Sequence, residues 1–138
     1  MASCLFCRIV AGQIPCRRLL ETDKTLAFLD IGPLSAGHAL VIPKFHAEYL
    51  HGIPDEHLAD LLPQVKRIAQ ALGPGVQYNV LQNNGKLAHQ EVWHVHFHVI
   101  PKTNAKDGLG LRWHPININA EELDKVQQDI LEKLKAME

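Results

Sequence analysis

Histidine takes every second place in His94-Val95-His96-Phe97-His98, and Val99, Ile100 and Pro101 follow. In a β-strand alternate side chains share one face, so these imidazoles would point one way and Val95, Phe97 and Val99 the other. Histidine is neither a favoured strand former nor a common core residue, so such a row points to metal binding or catalysis. The spacing alone leaves three readings open. They can be ordinary strand histidines; an H-x-H pair can hold zinc; or one imidazole can attack an electrophile while its neighbours orient it. Neutral imidazole is a good nucleophile near pH 7, because its ordinary pKa lies close by. Attack on a phosphate ester or phosphoramidate would give a phospho-histidine that water can cleave. His96 is the natural nucleophile, since the histidines on either side can donate to phosphate oxygens and fix which of its nitrogens is free. The polar residues just upstream, Asn83-Asn84-Gly85 and Ala88-His89-Gln90-Glu91, favour chemistry over packing.

The cysteines are Cys4, Cys7 and Cys16, an odd number that argues against a disulfide framework and for a reduced compartment. Cys4-Leu5-Phe6-Cys7 is a C-x-x-C, compatible with redox chemistry, with half a zinc site, or with small buried thiols. No βαβ pattern follows it, which weighs against the redox reading.

The elements that must carry these residues are short. Cys16–Glu21 and Thr25–Leu29 are β-like, and Asp30-Ile31-Gly32-Pro33 turns the chain. His38–Ile42 reads as a buried strand stopped by Pro43. A helix is predicted over Ile53–Leu72, with Asp55 and Glu56 in its first turn and Lys66 and Arg67 near its end. Its apolar stripe is Leu58, Leu61, Leu62, Val65, Ile68, Ala69 and Leu72, and Pro63 should kink it or mark a late start. Gly73-Pro74-Gly75 ends it. Val76–Gln82 is the next strand, and the histidine strand follows. Asn104–Pro115 reads as irregular surface. Asn119 then caps a last helix towards Met137, with Leu123, Val126, Ile130, Leu131 and Leu134 in one stripe. The predicted class is α+β, an antiparallel sheet with helices on one side.

At 138 residues the chain suits one domain, and 46% hydrophobic with 21% charged residues is ordinary for a globular protein. A net charge of −1 gives no electrostatic clamp for nucleic acid or a membrane surface. Met1-Ala2-Ser3-Cys4 lacks the basic start of a secretory signal, and no run approaches the roughly 18 apolar residues of a membrane span. The cytoplasm, and with it the nucleus, is the expected location.

His94-Val95-His96-Phe97-His98-Val99-Ile100 resembles the H-φ-H-φ-H-φ-φ motif of the histidine triad (HIT) family of nucleotide hydrolases and transferases. Further matches are Cys4-x-x-Cys7-Arg8-Ile9-Val10-x-Gly12-x-Ile14-Pro15, Phe28-Leu29-Asp30-Ile31, Gly37–Lys44 and Asn83-Asn84-Gly85 with Ala88, Gln90 and Val92. The likeness runs to about Trp113 and is greatest to the Hint branch, particularly its fungal and protist members. It implies a single HIT domain over 1–138, with an antiparallel sheet of about five strands, a long central helix and a C-terminal helix. Residues 1–16 would be a zinc-binding segment and 104–138 a tail with the last helix. It also implies a homodimer whose two sheets merge into one.

The activity implied is an adenosine 5′-monophosphoramidase, cleaving the P–N bond of AMP-NH2, AMP-lysine and similar purine nucleotides through a covalent nucleotidyl-histidine. AMP and GMP would be bound. His96 would be the nucleophile and His98 a phosphate ligand, with His94 and His38 in support. Asn83 and Gln90 would contact ribose and α-phosphate, and Asp30 the ribose hydroxyls. Phe28, Ile31 and Leu40 would wall the adenine, and His89, Glu91 and Phe97 complete the nucleotide-binding set. Family members usually carry Gly where His89 stands and many carry Ser or Thr at Glu91, so the leaving-group preference is open. Cys4, Cys7, His46 and His94 match the ligands of a structural zinc, while the chemistry itself would need no metal. His51, His57 and His114 read as surface residues, and Trp93 and Trp113 as packing or interface residues. Two other functions are compatible: a dinucleoside polyphosphate hydrolase, or a nucleotide-binding regulatory module with vestigial catalysis.

Overall fold

The computed structural model describes residues 3–138. Met1 and Ala2, part of the expected zinc-binding segment, lie outside the described residues. In chain order the elements are helix α1 (Leu5–Val10), strands β1 (Arg18–Glu21), β2 (Thr25–Leu29) and β3 (Ala39–Pro43), helix α2 (Asp55–Ala71), strands β4 (Tyr78–Gln82) and β5 (Phe97–Pro101), and helix α3 (Ala120–Ala136). The five strands form one antiparallel sheet in the order β1-β2-β3-β5-β4, so β5 inserts between β3 and β4.

Strand alternation gives the sheet two differently covered faces. Ala27, Ala39, Val41 and Val99 face α2, packing on Leu61, Val65, Ile68 and Ala69. Their neighbours in sequence, Leu26, Phe28, Leu40 and Ile42, pack on Phe6 and Ile9 of α1. That is why β2 and β3 are buried almost end to end, whereas a strand with one wet face would alternate. The two helices therefore cover opposite faces, and the expectation of helices on one side is corrected. Helix α1 has only six residues, too few to announce itself by period.

Helix α2 buries Leu61, Gln64, Val65, Ile68 and Ala69, a helical period. Leu62, placed in the stripe by sequence, is exposed, and Gln64 is buried instead, accepting from Arg67 Nη1 at 3.1 Å. Pro63 sits inside the helix on its solvent side, where the carbonyl deprived of its amide partner can bond to water.

The histidine strand is shorter than its sequence pattern. Ladder pairing begins at Phe97, opposite Val41 and Gln82. His94, Val95 and His96 lie ahead of it in irregular backbone.

Asn119 caps α3 as predicted, its Oδ1 accepting from the Glu122 amide at 2.8 Å. The apolar stripe of α3 is nonetheless uncovered: no residue of this helix is buried, and Leu123, Ile130 and Leu134 are each about half exposed. Among the described residues, no helix is long and apolar enough to cross a membrane.

Candidate active site

With no ladder to hold it, the segment from His94 to His96 is fixed by carbonyls. The Val95 amide donates to Ala47 O at 2.9 Å, and the Val95 side chain is fully buried. His94 Nε2 donates to Pro43 O at 2.7 Å, and His96 Nδ1 donates to His94 O at 2.7 Å. A carbonyl can only accept, so each contact decides a tautomer. His94 keeps its lone pair on Nδ1 and His96 keeps its own on Nε2.

His38 and His98 are fixed in the same way from the opposite end. The Leu34 amide donates to His38 Nδ1 at 3.0 Å, which puts the His38 proton on Nε2. That proton is given to His98 Nδ1 at 2.9 Å, so His98 carries its own on Nε2. Asp30 Oδ2 lies 3.5 Å from His38 Nε2. A lone pair on His96 Nε2 and a donor on His98 Nε2 then stand side by side, with ring centroids 4.9 Å apart.

Burial keeps these rings neutral. It pushes His98 down to about 4, helped by the nearby His96 and His38. His94 is likewise pushed to about 4, and His96 and His38 also lie below the ordinary histidine value, with burial the main cause throughout. A nucleophile gains from this, since a neutral imidazole keeps its lone pair at mildly acidic pH.

The two imidazoles open onto a cavity of about 310 Å³ between α1 and the sheet. Phe6, Ile9, Phe28, Ile31 and Leu40 contribute apolar walls, while Asp30, His89 and Glu91 add polar groups. Phe6 meets His96 edge-on at 5.1 Å and Phe28 at 5.6 Å, bracing both. Such a space can hold a flat apolar ring and a polar sugar against a nucleophilic nitrogen. The contribution of α1 and the following loop, including Ile14, Cys16 and Arg17, was missed in the sequence. The apolar pair Phe6 and Ile9 within the C-x-x-C-R-I-V run was the only available signal.

Asn83, Gln90 and Phe97 do not line this cavity. Gln90 is buried, accepting from the Gly85 amide at 2.8 Å and donating to Glu48 O at 2.7 Å and Val92 O at 3.0 Å. Asn83 Nδ2 donates to His89 O at 3.3 Å. Both therefore clamp the loop over 83–92. Gly85 has φ +96°, and a Cβ there would stand 3.0 Å from the Tyr49 hydroxyl, so the turn needs glycine. His89 is left-handed too, with φ 70°. Phe97 points to the α2 side of the sheet.

Behind His94, four donor atoms converge. Cys4 Sγ and Cys7 Sγ lie 3.4 and 3.6 Å from His94 Nδ1, Cys7 Sγ lies 3.3 Å from His46 Nδ1, and the two imidazole nitrogens are 3.2 Å apart. Tetrahedral zinc with ordinary bond lengths sets its ligands roughly 3.3–3.8 Å apart, so these residues fit that ion. Without a cation, burial and the Cys4 sulfur push the Cys7 thiol up to about 11. Asp30, His38 and His98 also cluster, but there the shared proton between the two rings accounts for the approach.

A tautomer-fixed imidazole above an apolar, acid-edged cavity puts a nucleophilic nitrogen and a binding surface in one place. The chain matches the HIT domain over residues 11–105, and it belongs to that family. An adenosine 5′-monophosphoramidase of Schizosaccharomyces pombe is 56% identical over 133 residues, 96% of this chain and 99% of that one. The crystal structure of a histidine triad nucleotide-binding protein from Candida albicans matches with a TM-score of 0.93 at 46% identity, covering 99% of this chain and 100% of the other. A zinc-bound histidine triad family protein from Mycobacterium smegmatis matches with a TM-score of 0.71 at 38% identity, covering 99% of each chain.

The buried neutral imidazoles imply a pH dependence. In the unfolded chain His38 and His98 take up protons near pH 6.5, whereas folded His98 resists to about 4. Across that window the unfolded state binds more protons, so stability falls as pH falls. The melting temperature should be flat above pH 7 and several degrees lower at pH 5, with a shallower slope in His98→Gln. A melting temperature independent of pH between 7 and 5 would contradict neutral burial.

Proposed function

We propose that this protein hydrolyses the P–N bond of adenosine 5′-phosphoramidates such as AMP-NH2 and AMP-lysine through a nucleotidyl-His96 intermediate. One observation carries the reading: the His94 carbonyl holds the proton on Nδ1 of His96, so the lone pair of Nε2 faces the cavity beside a donor on His98. The similarity to the Schizosaccharomyces pombe monophosphoramidase over nearly the whole chain supports it.

His96 Nε2 attacks the α-phosphorus, the P–N bond breaks, and the amine leaves with a proton taken from solvent, which the water of the second step returns. Water then attacks phosphorus, the bond to Nε2 breaks, and AMP departs with His96 neutral again. His98 Nε2–H donates to a phosphoryl oxygen, and its donor role is fixed through His38 by the Leu34 amide. Asp30 accepts from the ribose hydroxyls, while Phe28, Ile31 and Leu40 enclose the base. Those walls offer dispersion rather than base-specific hydrogen bonds, which admits guanine as well as adenine. Asn83 and Gln90 act through the loop they clamp. Nucleophile and donor are both supplied by side chains, so no step needs a metal at phosphorus.

A structural zinc held by Cys4, Cys7, His46 and His94 goes with this reading. Bound there, it would close a tetrahedral site with no open position and restrain the N-terminal segment. His94 gains from it, since its carbonyl orients His96. The zinc-bound Mycobacterium smegmatis structure supports the assignment.

The same reading includes a homodimer. β4 is an edge strand with Tyr78 and Val80 exposed, and the stripe of α3 is uncovered together with Trp113 and Ile116. Most of a helix's stability in a protein comes from packing its apolar face, and within one chain α3 has no surface for that. A second copy offers both an edge to continue the sheet and an apolar stripe to match. The cytoplasm and nucleus are the proposed location, to be checked by imaging a tagged chain.

Incubation with an AMP amidate and rapid acid quench should give a mass gain of one AMP on His96. The gain should vanish in His96→Ala, with kcat/KM reduced roughly 10⁴-fold. No adduct, with AMP still bound by both proteins, would favour the regulatory module; faster turnover of diadenosine triphosphate than of AMP-lysine would favour the polyphosphate hydrolase.

Purified protein should carry about one zinc per chain by elemental analysis. Cys7→Ser should lose it and melt several degrees lower; a metal-free wild type of unchanged stability would count against the site.

Light scattering should give twice the chain mass of 15.5 kDa. Val80→Arg should shift the population towards monomer; a monomeric wild type at micromolar concentration would refute the dimer.

A further inference from the structure

Helix α1 belongs to both the thiol cluster and the nucleotide cavity. Cys4 is its N-cap and Cys7 lies in its first turn, and their sulfurs face the imidazoles of His46 and His94. Phe6 and Ile9 are buried and turn towards the nucleotide cavity, which they wall. The Phe6 ring meets His94 edge-on at 5.9 Å, as well as His96 and Phe28. One short helix and its cap thus carry two of the four candidate zinc donors and one side of the base pocket. Its attachment to the sheet is slight. Among the described residues no backbone hydrogen bond joins α1 to a strand. Arg18 Nη2 donates to Ile9 O at 3.2 Å, and side-chain packing does the rest. Six residues are too few to hold a helix in water alone.

A zinc ion on Cys4, Cys7, His46 and His94 would fix the cap and first turn of α1 against the sheet, since His94 is itself tied to Pro43 O. A purine lying between Phe6 and Ile9 on one side and Phe28 and Leu40 on the other would hold the same helix from its cavity face. We propose that zinc and the purine base bind cooperatively through α1, each raising the affinity for the other by placing this helix. The coupling rests on the zinc and nucleotide readings together. Whichever ligand binds first bears the ordering of α1, and the second meets it in place. By linkage the factor is the same in both directions. Zinc occupancy then sets nucleotide affinity without the metal ever meeting the substrate. A competing route runs through His94 and His96, where a bound phosphate would be attracted by the metal charge. Base and phosphate can be supplied separately, which tells the two routes apart.

The test measures zinc affinity of the purified, zinc-loaded protein by competition with a chromophoric chelator. It is run alone and with AMP, adenosine or ribose 5-phosphate, at concentrations that calorimetry shows to saturate, and corrected for zinc held by free AMP. Adenosine, which has the base and no phosphate, should tighten zinc about tenfold, and AMP at least as much. Ribose 5-phosphate should change it by less than about twofold. The amides of Arg8 and Ala11, bonded to Cys4 O at 3.1 Å and Cys7 O at 3.0 Å, report on α1 directly. Their hydrogen exchange should slow when adenosine binds and quicken when the chelator takes the metal. Unchanged zinc affinity with adenosine bound would overturn the coupling and leave both sites intact. Tightening by AMP and ribose 5-phosphate but not by adenosine would assign the effect to attraction between phosphate and metal, and would overturn the role of α1. Tightening with no change in exchange at Arg8 and Ala11 would do the same. Protein that carries no zinc would overturn the zinc reading, and failure of both AMP and adenosine to bind would overturn the nucleotide reading; either takes the coupling with it.

Discussion

The proton on Nδ1 of His96, held at 2.7 Å by the carbonyl of His94, is the constraint on which the rest of the site depends. Without it the imidazole could carry its proton on either nitrogen, and the lone pair would face the cavity only part of the time. The carbonyl is placed by His94, whose ring is tied to Pro43 on one side and faces two sulfurs and His46 on the other. The thiol cluster is therefore linked, through the ring and then the carbonyl of His94, to the proton position on His96. The relay from Leu34 through His38 solves the complementary problem, giving His98 the opposite tautomer. Backbone groups anchor both chains of contacts, and of all substitutions only proline at position 34 would remove one of them.

The sheet separates the tasks of its two faces. The α2 side is filled by Ala27, Ala39, Val41 and Val99, small and β-branched residues that let the helix lie close. The α1 side carries the larger Leu26, Phe28, Leu40 and Ile42, and the cavity opens where that packing meets the imidazoles. Since β3 and β5 each contribute to both faces, a one-residue slip between them would turn His98 into the helix side and Val99 into the cavity. Register here is a functional quantity as well as a structural one.

Much of this could be read in the sequence. The alternation from His94 to Val99 placed the histidines on one side, the helical period located α2, and Asn119 marked the start of α3. What could not be read depends on partners distant in the chain. Sequence alternation cannot show that His94 and His96 lie ahead of the ladder, because carbonyls from Pro43 and Ala47 hold them there. Leu62 and Gln64 flank the apolar stripe of α2 on opposite edges, about 160° apart, and only the surface facing the helix decides which edge is covered. Helix α1 is too short to show a period, so its role as a wall of the cavity was hidden. The stripe on α3 was legible as a stripe, but not as one left open to solvent.

The left-handed backbone at His89 restricts how this site can change over time. At φ 70° a β-branched or bulky residue is strongly disfavoured, so the position tolerates glycine, asparagine, aspartate, histidine and little else. Glu91, two residues on, has no such conformation, and its side chain is exposed. Drift in what the cavity mouth accepts is thereby channelled into position 91. Substitution at the mouth is conformationally freer at position 91 than at position 89, two residues before it.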